Sequence, residues 1–241
     1  MRLAAVLAGG SGTRMGLAQP KQFLELAGRT VLEYSVEAFQ RHPGIDRVLV
    51  VMQKDYVKFT QELVRQRGWG KVLAVIPGGA TRGESSAAAV RFFADYAPED
   101  WLLLHDGARP LVPAEVIDRV LAGLEHYAAV NVGLVPKDTV VQVNGAHEIV
   151  AIPERSQLVA CQTPQGFHLG TIRRAYALAG QMPGFSATDD CSVVKQLLPE
   201  VPVLAVPGDW VNQKLTVPED VAYFEQMLRE RKDYGEADKQ V

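Results

Sequence analysis

Short apolar segments rich in Val, Leu and Ala alternate along this chain with longer amphipathic segments. In the amphipathic segments the apolar residues recur every three or four positions, as they do on one face of a helix. Buried parallel strands are continuously apolar, and helices cover both faces of such sheets. The alternation therefore predicts an α/β fold with a mostly parallel twisted sheet and helices on both faces. The predicted strands are 3–7, 47–52, 71–76, 101–105, 129–134, 203–206 and 213–216, and the predicted helices are 31–41, 56–66, 84–97, 113–127, 169–179, 188–198 and 218–229.

One segment departs from this alternation. Residues 139–143 and 149–152 are predicted strands that flank Asn144-Gly145, a dipeptide that favours a tight hairpin. A hairpin with no helix behind it exposes one face and two edges, so a second subunit is expected to cover it. We therefore expect a single domain over residues 1–230 with a protruding β-arm at about 137–156, followed by a polar tail at 231–241.

Composition excludes several classes of function. The 25 basic and 28 acidic residues give a formal net charge of -3, which argues against a protein that coats nucleic acid or an anionic membrane. No apolar stretch reaches the ~20 residues needed to span a bilayer. Cys161 and Cys191 form neither a metal-binding pattern nor a disulfide framework, so a reducing, cytoplasmic compartment is expected.

The loop after the first predicted strand is the strongest functional signal. Its closely spaced glycines let backbone N–H groups approach an anion, and Ser11 and Thr13 add hydroxyl donors. The loop lacks the Gly-Lys-Ser/Thr of a P-loop, and Met15 stands where the dinucleotide fingerprint needs its third glycine. Arg14 and Lys21 place two cations at this corner, as a triphosphate and its departing pyrophosphate require. A tight strand-to-helix turn with surface cations is the alternative.

A second glycine pair, Gly78-Gly79, follows the third predicted strand. It leads into Arg82, Ser85 and Ser86 at the start of a predicted helix. N–H groups at a helix start carry partial positive charge and suit base or ribose oxygens of a nucleotide. A turn capped by Ser85 explains the same residues equally well.

The third loop, residues 105–110, reads His-Asp-Gly-Ala-Arg-Pro. Asp106 stands at the carboxyl edge of the sheet, where ligands of open α/β sheets bind. Its carboxylate suits the hydroxyl groups of a polyol or a Mg²⁺ ion, and Arg109 suits a second phosphate. A structural Asp–Arg pair is the alternative.

Nine motifs occur in an order that resembles the cytidylyltransferases of polyol phosphates, and most closely the 2-C-methyl-D-erythritol 4-phosphate cytidylyltransferase family. They are LAGGSGTRMG, PKQFLEL, GGATRGES, HDGARP, KDTV, ERSQL, QTPQGF, TDDCSVV and KLTVPED, between about residues 3 and 225. The resemblance implies a Rossmann-like nucleotidyltransferase fold, CTP as donor, Mg²⁺ or another divalent cation, and a homodimer built by the β-arm. It also implies cytidylyl transfer to 2-C-methyl-D-erythritol 4-phosphate in non-mevalonate isoprenoid biosynthesis.

The resemblance also implies roles for individual residues. Arg14 and Lys21 correspond to residues that stabilise the transition state. Arg155 and Lys214 correspond to residues that position the acceptor phosphate, with Arg155 reaching in from the partner's arm. The implied nucleotide-binding residues are Ala8, Gly9, Gly10, Ser11, Gly12, Thr13, Gly79, Ala80, Arg82 and Ser85. The implied acceptor contacts are Asp106, Arg109, Thr139, Thr163 and Thr188, with Asp106 also the candidate metal ligand.

Two departures from the family pattern keep alternatives open. Leu-Ala-Gly-Gly at residues 7–10 replaces the commoner Pro-Ala-Ala-Gly, and Cys191 stands where alanine is frequent. Both features also occur in the ribitol-5-phosphate cytidylyltransferases, which make CDP-ribitol, whereas HDGARP and TDD favour the methylerythritol enzymes. A non-catalytic nucleotide-binding module is the alternative of another class. Such a module would not need a second set of cations, which Arg109, Arg155 and Lys214 supply.

Overall fold

The computed structural model of the chain describes residues 1–10 and 20–237, with side chains described up to residue 230. Its strands are β1 (Arg2–Ala8), β2 (Glu25–Leu26), β3 (Arg29–Thr30), β4 (Arg47–Met52), β5 (Val72–Pro77), β6 (Trp101–Asp106), β7 (Ala129–Leu134), β8 (Gln142–Val143), β9 (Ile149–Ala151), β10 (Ala160–His168) and β11 (Val203–Pro207). Its helices are α1 (Val31–Arg41), α2 (Val57–Arg67), α3 (Arg82–Phe92), α4 (Ala114–Leu124), α5 (Leu169–Ala179), α6 (Asp190–Leu197) and α7 (Asp220–Ala237).

Seven strands form one sheet in the order β11-β7-β10-β6-β1-β4-β5. β10 is antiparallel to both β6 and β7, and the other neighbours run parallel. The predicted mostly parallel sheet is therefore confirmed. The predicted cover by helices on both faces is confirmed as well. Alternate residues of β1 belong to two core clusters, one formed with α1, α2 and α4 on one face and the other with α3, α5 and α6 on the opposite face.

Two predictions for individual strands were wrong. β10 was not predicted, because polar Gln162, Thr163 and Gln165 interrupt its apolar pattern; the structure buries all three and gives them hydrogen-bond partners. The strand predicted at 213–216 does not form. Instead the backbone N–H of Leu215 donates to the carbonyl of Ala108 at 2.8 Å, and the Leu215 side chain is buried in a cluster with Phe224 of α7.

Helix caps explain where the helices begin. Thr30 and Glu33 form a reciprocal capping box at α1, which begins at the predicted residue. Thr81, rather than Ser85, caps α3, since its side chain accepts from the backbone N–H of Glu84. Asp189, rather than Thr188, caps α6. None of the helices in the described part of the chain is long and apolar enough to cross a membrane.

The predicted hairpin is confirmed as the antiparallel pair β8–β9. Its turn is longer than the predicted two residues and runs from Asn144 to Glu148. Asn144 Oδ1 accepts from the backbone N–H groups of Ala146 and Glu148, and His147 takes a positive φ of 63°. The asparagine side chain thus stabilises the turn by binding backbone.

Candidate active site

A cleft of about 230 Å³ opens at the carboxyl ends of β1 and β6. This is the edge of the sheet where the sequence predicts ligand binding. Its walls come from four distant parts of the chain: the loop after β1 with the Lys21 turn, the start of α3, the end of β6, and the segment before α7. The lining residues are Leu7, Gly9, Gly10, Lys21, Gln22, Ala80, Thr81, Arg82, Ser85, Asp106, Ala108, Lys214 and Thr216.

Asp106, the last residue of β6, lies among three cations. Its Oδ1 accepts from Arg82 Nε at 2.9 Å, its Oδ2 accepts from Lys214 Nζ at 2.9 Å, and Arg109 Nε lies 3.8 Å from Oδ2. Burial by itself would raise the pKa of Asp106, but the three cations outweigh it and hold that pKa well below its ordinary value. The carboxylate is therefore ionised, and it gathers positive charge at one end of the cleft.

The same contacts bear on the predicted metal role of Asp106. Mg²⁺ usually takes one or two carboxylates, with phosphate oxygens and water completing its octahedron. Both oxygens of Asp106 already face cations, and the described residues contain no group of three His, Cys, Asp or Glu that could hold an ion. This donor set does not fit a dedicated metal site.

Lys21 brings a further cation to the cleft. Only 7% of Lys21 is exposed, and its Nζ donates to the carbonyl of Leu215 at 2.5 Å. The adjacent Gln22 donates from Nε2 to the carbonyl of Gly10 at 3.2 Å, which ties the Lys21 turn to the loop after β1. Electrostatic interactions are stronger at such a buried ammonium than at a surface lysine. The predicted residues Ser11, Gly12, Thr13 and Arg14 lie outside the described residues.

The Gly78–Gly79 turn packs tightly onto α3. A Cβ on Gly79 would lie 2.2 Å from the Cβ of Glu84, and one on Gly78 would lie 2.6 Å from Ser85 Oγ. Ser85 Oγ accepts from the backbone N–H of Gly79 at 3.3 Å and donates to the carbonyl of Thr81 at 3.0 Å. Glycine is therefore required here for close packing, and this packing brings Ala80 and Arg82 to the cleft.

A chain of hydrogen bonds supports Asp106 from behind. The backbone N–H of Asp106 donates to Thr163 Oγ1 at 3.0 Å, Thr163 Oγ1 lies 3.1 Å from His105 Nδ1, and His105 Nε2 lies 3.0 Å from the carbonyl of Arg109. A carbonyl only accepts, so this pattern assigns the ring proton to Nε2 and makes Nδ1 the acceptor of the Thr163 hydroxyl. Burial lowers the pKa of His105 to about 4, so the ring is neutral.

His105 makes the folded state sensitive to acid. Between about pH 6.5 and 4 the unfolded chain binds a proton that the folded chain does not, so stability falls as the pH drops through this window. A shift of this size corresponds to roughly 3 kcal/mol. We expect the free energy of unfolding in urea to fall less steeply between pH 6.5 and 4.5 in His105→Gln than in the wild type. If the free energy of unfolding of His105→Gln fell with pH as steeply as that of the wild type and of the exposed control His126→Gln, this assignment would be wrong.

The predicted acceptor contacts lie in different surroundings. Asp106, Arg109 and Lys214 come together, whereas Thr163 is buried behind Asp106. The Thr188 hydroxyl lies 3.2 Å from Ser192 Oγ. Thr139 and Arg155 are exposed on the β-arm, where Arg155 Nη1 donates to the carbonyl of Lys137 at 2.9 Å.

A neighbouring cleft of about 410 Å³ lies between the base of the β-arm and the segment before α7. Lys214 lines both clefts, and Arg109 links the second cleft to Asp106. Sequence reasoning missed two residues here, Lys137 and Trp210; Lys137 Nζ lies 4.0 Å from the centroid of the Trp210 ring. The position of Lys137 in the KDTV motif was the only available signal, because a cation–π contact has no sequence signature.

A second carboxylate holds Arg82. Arg82 Nη2 lies 2.9 Å from Oδ2 of Asp190, and Asp190 Oδ1 accepts from the Tyr176 hydroxyl at 2.6 Å. Burial by itself would lower the pKa of Arg82, but Asp190 and Asp106 raise it above its ordinary value. Arg82 is therefore a permanent cation between two carboxylates. Sequence reasoning gave neither Asp190 nor Tyr176 a role, although Asp190 stands in the TDDCSVV motif.

Known proteins resemble this chain in sequence and in structure. The family model described as 2-C-methyl-D-erythritol 4-phosphate cytidylyltransferase (IspD) matches residues 3–230. The 2-C-methyl-D-erythritol 4-phosphate cytidylyltransferase of Thermobifida fusca is 50% identical, over 94% of this chain and 92% of its own length. The bifunctional ribulose 5-phosphate reductase/CDP-ribitol pyrophosphorylase Bcs1 of Haemophilus influenzae is 38% identical, over 97% of this chain and 49% of its own length. The crystal structure of 4-diphosphocytidyl-2C-methyl-D-erythritol synthase from Anaerococcus prevotii has a TM-score of 0.83 at 26% identity and covers 95% of this chain and 98% of that chain.

Proposed function

The chain belongs to the 2-C-methyl-D-erythritol 4-phosphate cytidylyltransferase (IspD) family, and we propose that it transfers a cytidylyl group from CTP to 2-C-methyl-D-erythritol 4-phosphate. The products are 4-diphosphocytidyl-2-C-methyl-D-erythritol and pyrophosphate, and the reaction is a step of isoprenoid precursor synthesis. The observation that carries the proposal is the gathering of Arg82, Arg109 and Lys214 around the ionised Asp106. Two anionic substrates repel each other, and such a cluster of cations offsets that repulsion.

The chemistry explains why the cleft is rich in cations. The acceptor phosphomonoester has a second pKa of about 6 and is mostly dianionic at neutral pH, so no general base is required. Its oxygen attacks the α-phosphorus of CTP in line, forming the new P–O bond as the bond to pyrophosphate breaks. The protein has to align two anions and stabilise the charge that develops on the transferring group.

The positions of the cations in the two clefts indicate which of them bind CTP and which bind the acceptor. Lys21 and Arg82, with the N–H groups of Gly9 and Gly10, line the cleft beside β1 and suit the CTP phosphates. Lys214 and Arg109 connect this cleft to the second one and suit the acceptor phosphate, while Asp106 suits an acceptor hydroxyl. A divalent cation such as Mg²⁺ would neutralise part of the charge of the CTP phosphates, and phosphate oxygens and water would supply most of its ligands.

One assay tests the reaction and the acceptor together. Pyrophosphate release from CTP is measured with 2-C-methyl-D-erythritol 4-phosphate and with ribitol 5-phosphate, and the two kcat/KM values are compared. We expect at least a ~10-fold preference for methylerythritol phosphate. A preference for ribitol phosphate would overturn the acceptor and favour the activity named for the Haemophilus relative. No release with either acceptor would favour a non-catalytic nucleotide-binding module.

We infer that the β-arm joins two copies of the chain into a homodimer. Its apolar side chains lie open to solvent, with Val143 46% exposed, Ile149 61% exposed and Ile152 64% exposed. Contiguous apolar patches on a protein surface are usually covered by a partner. Arg155 and Thr139 stand on this arm, so docking of the arm onto a second copy would bring them to the partner's acceptor cleft.

The cysteines and the charge of the chain bear on its cellular compartment and on the class of ligand that it binds. We propose a cytoplasmic enzyme, because Cys161 and Cys191 are both free thiols and the donor is a cytoplasmic nucleotide. The net charge of -3 and the clustering of Lys21, Arg82, Arg109 and Lys214 at two adjacent clefts favour small anions over nucleic acid or a membrane surface as ligands.

A further inference from the structure

Arg82 is held from two sides by carboxylates of different elements. Its Nε donates to Oδ1 of Asp106, at the end of β6, and its Nη2 lies 2.9 Å from Oδ2 of Asp190, at the start of α6. Arg82 itself begins α3, so its guanidinium connects three elements at the edge of the cleft. A planar guanidinium with partners along two edges has little freedom to rotate.

Asp190 is in turn held from two directions. Its backbone N–H and that of Cys191 donate to Gln165 Oε1 at 3.0 and 3.2 Å, which fixes the start of α6 against β10. Its Oδ1 accepts from the hydroxyl of Tyr176 on α5 at 2.6 Å. Gln165 therefore sets where Asp190 lies, and Tyr176 sets the direction in which its carboxylate points.

The buried negative charge of Asp190 has to be compensated by its neighbours. Asp190 is completely buried, and a buried carboxylate is strongly destabilising unless cations and hydrogen bonds compensate it. Burial and the charge of Asp190 raise the pKa of Tyr176, so its hydroxyl keeps its proton and remains a donor. Without Asp190, Arg82 would pair with Asp106 alone and would be free to turn toward it, away from the rest of the cleft.

We propose that Tyr176 and Asp190 are positioning residues that hold Arg82 in the orientation in which it binds CTP. We call Tyr176, Asp190 and Arg82 the brace. Neither Tyr176 nor Asp190 lines the CTP cleft, but Arg82 does, with a quarter of its side chain exposed. That the bound nucleotide is CTP rests on the proposed function, whereas the contacts that hold Arg82 do not. A brace of this kind acts on nucleotide affinity much more than on acceptor affinity.

The test removes the Tyr176 hydroxyl and keeps its ring. We expect Tyr176→Phe to raise the Kd and the KM for CTP about three- to ten-fold, with kcat and the KM for the acceptor within about two-fold of wild type. Asp190→Asn should raise the Kd for CTP further, because it removes the charge as well. If Asp190→Asn does not fold, Tyr176→Phe decides the question alone.

The matched control is Tyr34→Phe. The hydroxyl of Tyr34 donates to the carbonyl of Leu26 at 2.9 Å, so this variant loses a comparable hydrogen bond away from both clefts. We expect it to change thermal stability without changing the Kd for CTP. If Tyr176→Phe behaves like this control, or weakens CTP and the acceptor equally, the brace is overturned.

A double-mutant cycle tests whether Tyr176 affects CTP binding through Arg82. Binding of CTP is measured by calorimetry without acceptor, so the readout does not depend on turnover. In an Arg82→Lys background, Tyr176→Phe should no longer alter the Kd, because lysine cannot contact both carboxylates as the guanidinium does. If the losses of CTP affinity in Arg82→Lys and Tyr176→Phe simply add in the double variant, the proposed brace is wrong. If the wild-type chain itself bound no CTP, the proposed function would fail instead.

Discussion

Replacing Lys21 with alanine is expected to lower kcat by about 10²- to 10³-fold, with a much smaller change in the KM for CTP. The ammonium is almost completely buried and is held by the carbonyl of Leu215, so it is already in place before the reaction begins. A fixed charge in a low-dielectric cleft stabilises charge that develops in the transition state more than charge that substrates carry throughout. Its loss should therefore reduce turnover more than binding.

Two further variants separate charge from packing. Lys21→Gln keeps a donor near the Leu215 carbonyl but removes the positive charge, so it should lose nearly as much turnover as the alanine variant. Lys58→Ala removes an exposed lysine on α2 and should leave kcat unchanged. A near-normal kcat with only a raised KM for CTP, in variants whose melting temperature is preserved, would show that Lys21 binds the nucleotide without stabilising the transition state.

The fold was predictable wherever local sequence and tertiary environment agree. α1 was predicted at its observed bounds from its amphipathic repeat alone, and the structure shows that the capping box of Thr30 and Glu33 begins the helix at the same residue. β10 was missed because its polar side chains are buried, and a pattern that treats polar residues as exposed cannot detect a strand stabilised by hydrogen bonds. Thr163 illustrates this: its partners His105 and Asp106 are about 57 residues away and meet it only in the folded sheet.

The site was predictable to the extent that it lies in loops after strands. Lys21, Arg82, Asp106 and Lys214 were predicted from motifs, and the structure brings all four to one cleft. Arg14 lies outside the described residues, so its role stays a prediction. The contact between Tyr176 and Asp190 could not be predicted, because it depends on how α5 packs against α6 and no short motif encodes that packing.

Mixed dimers provide the strongest test of the predicted role of Arg155 across the interface. In the proposed homodimer each site combines Lys21 of one chain with Arg155 of the other. Arg155→Ala and Lys21→Ala homodimers should therefore both be nearly inactive, because each lacks one of these cations at both sites. Heterodimers carrying two different affinity tags can be purified from a mixture of the two variants, so that no homodimer contributes to the measured activity.

In such a heterodimer one site regains both Lys21 and Arg155, and the other loses both. We expect about half of the wild-type turnover per dimer, which is far above either parent. The reciprocal dimer, wild type paired with an Arg155→Ala/Lys21→Ala chain, should be nearly inactive, since each of its sites lacks one of the two cations. If Arg155 served the cleft of its own chain, the two results would be exchanged: the first dimer would stay inactive and the reciprocal dimer would keep about half of the activity. Arg155 contacts the base of its own β-arm through the carbonyl of Lys137. In the proposed homodimer, docking of that arm against the second chain would carry its guanidinium to the partner's acceptor cleft.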